Sequence, residues 1–293
     1  MSSPLSPEPI LSSTPLSRPR FSLRRRLWWC AALVLLSNCQ QKEAPALPPA
    51  PVPGAQQTLT IFAAASLREA FGSLRDEFKE THANLEIVFN FAGSQDLRTQ
   101  IEHAAPADVF ASADQKNMHE LQQASMVGTP VVFARNEPVV VVARESAASL
   151  GSFAELAHVT RIVLGAPDVP IGRYTGQLLD NAARSLAPDF RQRVEANVVS
   201  RELDVRQVLN KVALGEANAG VVYRTDAQSA QGKLSIVSIP AELNVLAEYP
   251  IAPVSGAPHA AAAAEWVKFV LSPAGQALLQ QAGFLAPAGP PPT

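Results

Sequence analysis

"TIFAAASLREAFGSLRDEF", residues 60–78, decides the fold. An apolar run of strand character stops in three alanines and a serine. A helical pattern starts at once, with Leu67, Phe71, Leu74 and Phe78 spaced for one face. A strand that feeds directly into an amphipathic helix is the repeating unit of parallel α/β sheets, because parallel neighbours need a crossover and a helix supplies it. The alternation continues outward. "LEIVFNFA" (85–92) reads as a strand and "SQDLRTQIEHA" (94–104) as a helix, then "ADVFASA" (107–113) as a strand with a helix near "KNMHELQQA" (116–124). "VVFARNEPVVVVAR" (131–144) reads as two extended segments in succession, and the pattern resumes through "RIVLGAP", "GRYTGQLLDNAARSL", "DVRQVLNKVALGEA", "AGVVYRTDA" and "LSIVSIP". Largely parallel open sheets covered by helices are expected, without internal repeat.

In such sheets ligands sit beyond the carboxyl ends of strands, where the next helix begins. Four of these turns share a character. "AAAS" combines small residues with Ser66, expected to cap the following helix; "FAGSQDL" places Gly93, expected in an unusual backbone conformation, before Ser94 at a helix start. "DVPIGRYTGQLL" puts Pro170 at a helix start with the N–H groups of Ile171 and Gly172 behind it. "ELDVRQVL" offers Asp204 as N-cap and Val205 as the first residue whose N–H lacks an intrahelical partner.

The flanks have another composition. "RPRFSLRRRLWWCAALVLLSNCQQ" (18–41) joins a basic stretch to an apolar segment too short for an ordinary transmembrane helix, the pattern of an export signal. Its end, "LLSNC", resembles the lipobox of bacterial lipoproteins, with Asn38 where a small residue is usual, and implies lipidation at Cys39. Residues 1–39 are therefore expected to be a lipoprotein signal peptide. Proline is dense on both sides of the folded part: ten of 25 prolines precede Gly54 and four follow Leu285. Residues 40–57 read as a semi-rigid spacer and 287–293 as a loose tail.

Both cysteines of the 293 residues, Cys30 and Cys39, fall in the leader, so the folded part holds neither a disulfide nor a thiolate metal site. Setting aside the five Arg and one Glu before Cys39 leaves 19 basic and 25 acidic residues, a net of about −6. No basic stripe interleaves with aromatics, which excludes a nucleic-acid partner, and an anion would need a locally built site. His82, His103, His119, His158 and His259 are scattered without metal spacing. No nucleophile elbow, P-loop or zinc-protease motif occurs. Asp108 and Asp114 read as turn or bracing residues. An exported serine hydrolase with Ser66 as nucleophile lacks a base of predictable position.

"TIFAAASL", "PADVFASADQKNM", "DVRQVL" with "GVVY", and "EYPIAPV", in that order between about Leu59 and Phe284, resemble the molybdate-binding proteins of bacterial ABC transporters. The resemblance implies an α/β fold of two lobes, like other periplasmic binding proteins, each lobe a mostly parallel sheet with flanking helices and the ligand in the cleft between them. Residues 58–137 plus 246–286 would form the first lobe and 138–245 the second, with "RNEPVVVV" and "EYPIAPV" as the hinge. It further implies a monomeric, non-enzymatic receptor without cofactor, exported to the periplasm or cell surface on a lipid anchor. That receptor would bind molybdate or tungstate and hand it to an ABC permease. The metal would be held as its oxyanion, with no direct ligation, by the hydroxyls of Ser66, Ser94 and Tyr223 and the N–H groups of Ile171 and Val205. Ile171 departs from the small residue often found there. Sulfate is the alternative ligand.

The chemistry is coherent. A proton-free tetrahedral dianion has only acceptors, so its best site has only donors: hydroxyls, N–H groups and the positive ends of helices. Phosphate keeps a proton near neutral pH and would leave it unpaired, at about 1–3 kcal/mol. Arg68, Arg98, Arg173 and Arg206 lie near the proposed turns and read as solvated helix charges or inter-lobe ion pairs.

Overall fold

The computed structural model describes residues 57–144, 150–230 and 232–289. The expected signal peptide, Cys39 and the spacer through residue 56 lie outside the described residues, as do residues 290–293 of the tail.

Two five-stranded sheets carry the fold. The first is ordered β2-β1-β3-β10-β4, with β1 Gln57–Ala64, β2 Leu85–Ala92, β3 Val109–Ala111, β4 Val131–Asn136 and β10 Ala247–Pro253. The second is ordered β7-β6-β8-β5-β9, with β5 Pro138–Ala143, β6 Ile162–Gly165, β7 Val198–Glu202, β8 Ala219–Tyr223 and β9 Leu234–Ser238. In each, three neighbouring strands pair in parallel, the fourth is antiparallel to its neighbour, and the fifth is antiparallel to the fourth. One strand per sheet is therefore reversed, and the sheets are mostly parallel in direction. The reversed strands are β5 and β10, the two by which the chain crosses between the sheets. β4 passes into β5 through Glu137 alone, and the chain returns between β9 and β10. The apolar run "PVVVVA" is buried along its whole length because β5 is an interior strand covered on both faces.

Helices follow the parallel strands. On the first sheet these are α1 (Arg68–Thr81), entered through a 3₁₀ turn at Ala65–Leu67, α2 (Ser94–Glu102) and α3 (Gln115–Gln123), and on the second α4 (Pro170–Ser185), α5 (Phe190–Ala196), α6 (Val205–Ala213) and α7 (Arg224–Ser229). Two more, α8 (Ala260–Leu271) and α9 (Pro273–Gln281), close the first sheet. The predicted face of α1 is buried, and Phe71 and Phe78 meet the edge of Trp266 from α8 at centroid distances of 5.8 and 5.3 Å. Such edge contacts add about 0.5–1.5 kcal/mol each beyond the apolar area they bury.

The turns at the strand ends are tight. A side chain at Gly172, in the first turn of α4, would fall on the carbonyl of Ala166, and one at Gly165 would come within 2.7 Å of Ile171 Cγ2 and 2.9 Å of the Gly172 nitrogen. Only glycine lets β6 turn into α4 so closely. Gly93 is different from its expected role. Its backbone is ordinary extended chain (φ −61°, ψ 140°), and what it permits is approach, since a side chain there would strike the Leu203 carbonyl of the opposite lobe. Gln95 Nε2 donates to that carbonyl at 2.8 Å.

Candidate functional site

Ser66, Ser94, Ile171, Val205 and Tyr223, far apart in sequence, line one pocket between the two sheets, together with Ala64, Ala65, Ala92, Gly93, Ala113, Val169, Pro170 and Asp204. Its free space, open mouth included, is about 220 Å³, which suits a small solute.

The serines do not cap helices. Ser66 sits inside the 3₁₀ turn and its hydroxyl is 3.0 Å from that of Tyr249. Ser94 is the first residue of α2, and its oxygen accepts the N–H of Ala113 at 3.0 Å. That bond engages the oxygen and leaves the Ser94 proton free to point elsewhere. Pro170 opens α4, as its fixed φ and missing N–H allow. Asp204 is the N-cap of α6: its Oδ1 accepts from the N–H groups of Arg206 (2.8 Å) and Gln207 (3.0 Å), and its Oδ2 takes the Gln207 side chain at 2.8 Å. The one carboxylate of the lining is thus committed to the helix it starts.

Tyr223 ends β8, wholly buried, and its hydroxyl has no hydrogen-bond partner among the described residues. A buried phenol left unpaired costs about 1–3 kcal/mol, so this hydroxyl stands ready for a ligand. Burial, with the neighbouring tyrosines next, pushes the Tyr223 phenol well above its usual pKa, and burial does the same to Tyr249. Both remain neutral O–H groups at any physiological pH. The pocket accordingly gathers hydroxyls and the first residues of α2, α4 and α6, whose dipoles present positive ends.

The nearby arginines face protein. Arg206 makes an ion pair with Glu69 of α1 at 2.8 Å and with buried Asp226 at 3.2 Å; Arg173 pairs with Asp114; Arg98 binds Glu102 and Glu120; Arg68 lies over the Phe91 ring at 4.6 Å. The Arg206–Glu69 and Arg173–Asp114 pairs join the lobes across the cleft. Asp114 also caps α3 by accepting from Asn117 N at 2.9 Å, and Asp108 accepts from Thr60 N at 2.8 Å and His259 N at 3.1 Å, so both brace the fold. Ser66 has a tyrosine, not a histidine, as its partner, which leaves a hydrolase nucleophile without a base.

Sequence reasoning missed Tyr249 as a neighbour of the site. The signal was compositional: the chain has twelve phenylalanines and three tyrosines, and a buried phenol needs a partner for its hydroxyl. The three tyrosines meet edge to face beside the pocket, Tyr174 against Tyr223 at 6.4 Å and Tyr223 against Tyr249 at 5.7 Å between ring centroids.

Comparison with known proteins follows the same outline. Residues 59–285 match the profile of a family described as bacterial extracellular solute-binding protein. The molybdate-binding protein ModA of Mycobacterium tuberculosis is 36% identical over 254 residues, covering 86% of this chain and 93% of its own. A putative ABC transporter substrate-binding lipoprotein of Bacillus subtilis, YvgL, is 32% identical, with 78% of this chain and 86% of its own covered. Among solved structures, the substrate-binding domain of a putative molybdenum ABC transporter from Clostridium difficile superposes with a TM-score of 0.60 at 28% identity, over 78% of this chain and 99% of that one.

Proposed function

We propose that this chain, which belongs to the bacterial extracellular solute-binding protein family, captures molybdate outside the cytoplasm and delivers it to an ABC permease. The observation that carries the reading is the donor set of the pocket: three hydroxyls, one of them buried without a partner, and three helix starts, with the single carboxylate spent on a cap. The names of the relatives point to the same ion.

In this reading the oxyanion takes O–H donors from Ser66, Ser94 and Tyr223 and N–H donors from Ile171 and Val205. Each hydrogen bond to a charged group contributes about 1.5–3 kcal/mol. Neutral donors suit a net-negative protein, since the positive field comes from helix ends and not from a cation that would hold any anion alike. Tungstate has the same charge and shape and is included in the proposal. Residues 58–137 with 246–286 and residues 138–245 act as two lobes that close on the ion, held by the Arg206–Glu69 and Arg173–Asp114 pairs, and the closed form is what the permease reads. Lipidation of Cys39 would keep a monomeric receptor at the membrane, a role the lipoprotein name of the Bacillus subtilis relative supports.

Calorimetric titration of residues 56–287 with molybdate, tungstate, sulfate and phosphate tests the reading. Tight one-to-one binding of the first two only is expected. Equally tight sulfate would make this a general oxyanion receptor, and no binding of any of the four would refute the assignment.

A further inference from the structure

A serine hydroxyl can donate or accept, so two serines in a pocket do not by themselves make a site that only donates. For Ser94 the main chain weights the choice, because the N–H of Ala113, which cannot rotate away, fills one of the oxygen's two lone pairs and leaves the hydroxyl proton for the pocket. For Ser66 the outcome rests on the direction of its 3.0 Å bond to Tyr249. If Tyr249 accepts, the Ser66 proton is spent inside the protein. If Tyr249 donates, the Ser66 oxygen is engaged and its proton turns to the ligand.

Burial sets that direction. The Tyr249 hydroxyl has Ser66 as its one hydrogen-bond partner among the described residues, and Tyr249 is 0% exposed, so a phenol proton aimed anywhere else would be buried unpaired, at about 1–3 kcal/mol. Ser66 lines the pocket, where its own proton can meet a ligand. Tyr249 therefore donates, Ser66 accepts, and the Ser66 proton turns to the pocket.

We infer that Tyr249 is a positioning and specificity-determining residue: by donating to Ser66 it fixes that serine as a donor and so disfavours anions that carry a proton. The inference rests on the oxyanion reading above and adds to it the reason the cage tolerates no protonated guest. Tyr249 touches Ser66 and need not touch the ion.

The test is titration of wild type, Tyr249→Phe, Ser66→Ala and the double variant with molybdate, sulfate and phosphate, phosphate being followed by competition where it is weak. Phenylalanine keeps the ring and removes only the hydroxyl. Without the tyrosine proton Ser66 can rotate and accept, so Tyr249→Phe should weaken molybdate and sulfate about 5- to 10-fold while phosphate holds or tightens. The preference for proton-free anions then narrows by at least about fivefold, a readout that mere loosening of the pocket would not give. In the Ser66→Ala background Tyr249→Phe should change no affinity by more than about twofold, because it acts through Ser66. Should Tyr249→Phe melt before it can be titrated, Ser66→Ala still reads the direction: with Ser66 held as a donor, its loss should weaken molybdate and sulfate at least about fivefold more than phosphate, and equal weakening of all three would overturn the inference. Equal weakening of all three anions, or an undiminished effect without Ser66, overturns the inference and leaves the molybdate reading intact. Wild-type protein that binds none of the anions overturns both.

Discussion

On the first lobe the proposed site draws on Ser66 and Ser94, where the side chain is the chemistry; on the second, Ile171 and Val205 line the same pocket with side chains that belong to the hydrophobic core, and the proposal uses their backbone N–H groups. The two solutions place different demands on sequence. A hydroxyl must be specified residue by residue, and each serine here needs a further partner to orient it, Ala113 N–H or the Tyr249 phenol. A backbone donor leaves the side chain free to serve the core, as that of Ile171 does. The second lobe pays instead in geometry, with glycine at 165 and 172 letting the strand end approach the helix start.

The largest effect should follow from attacking that geometry. Gly172→Ala puts a methyl on the Ala166 carbonyl and must push α4 away, so loss of measurable molybdate binding is expected, with destabilisation of about 1–3 kcal/mol from overpacking. Calorimetry and thermal melting read both. Wild-type affinity in this variant would mean that the start of α4 is not part of the site.

Next come the hydroxyls. Ser94→Ala and Ser66→Ala should each weaken molybdate about 10- to 150-fold, the range for a hydrogen bond to a charged group, and should lower the melting temperature of the ligand-free protein, since each leaves a buried group unpaired, the Ala113 N–H or the Tyr249 phenol. A second-lobe hydroxyl sharpens the contrast: Tyr223→Phe should lose affinity similarly, yet gain stability without ligand, because it removes a buried unpaired polar atom.

A smaller effect lies behind α6. Burial raises the Asp226 carboxyl from 3.8 to about 7, against the pull of Arg206. Between these values the unfolded chain releases its proton while the folded chain keeps it, so stability falls as pH rises from about 4 to about 7. Asp226→Asn, neutral throughout, should show a shallower decline of melting temperature across that window, by a few degrees. The same slope in both proteins would contradict the assignment of that loss to Asp226.

Ile171→Val marks the smallest effect: a buried methylene lost, about 0.5–1.5 kcal/mol in stability, and molybdate affinity within about twofold of wild type. A large affinity loss would show that the Ile171 side chain, and not its N–H group alone, matters to the ion.

The same division governs what could be read in advance. Elements with a local cause were legible: the face of α1 in the spacing of Leu67 to Phe78, the start of α4 in Pro170, the cap of α6 in Asp204. The strand-to-helix turns stand out by their small or capping residues, and the resemblance to the molybdate-binding proteins singles out within them Ser66, Ser94, Ile171 and Val205, and Tyr223 at the end of "GVVY". Contacts with a distant cause were not legible. Tyr249 lies 183 positions from Ser66, Gly93 is required by a carbonyl on the other lobe, and the pairing of Arg206 with Glu69 spans 137 positions. Nothing local distinguishes a serine that caps from one that is turned into a pocket by a distant phenol.

The central claim, an oxyanion held by neutral donors from both lobes, is tested most directly by a crystal structure grown with molybdate and phased on the molybdenum signal. The account predicts the metal between the lobes, with its oxygens about 2.7–3.1 Å from the Ser66, Ser94 and Tyr223 hydroxyls and from the Ile171 and Val205 nitrogens. Molybdenum bound elsewhere, or held in this cleft by an arginine or lysine, would contradict it.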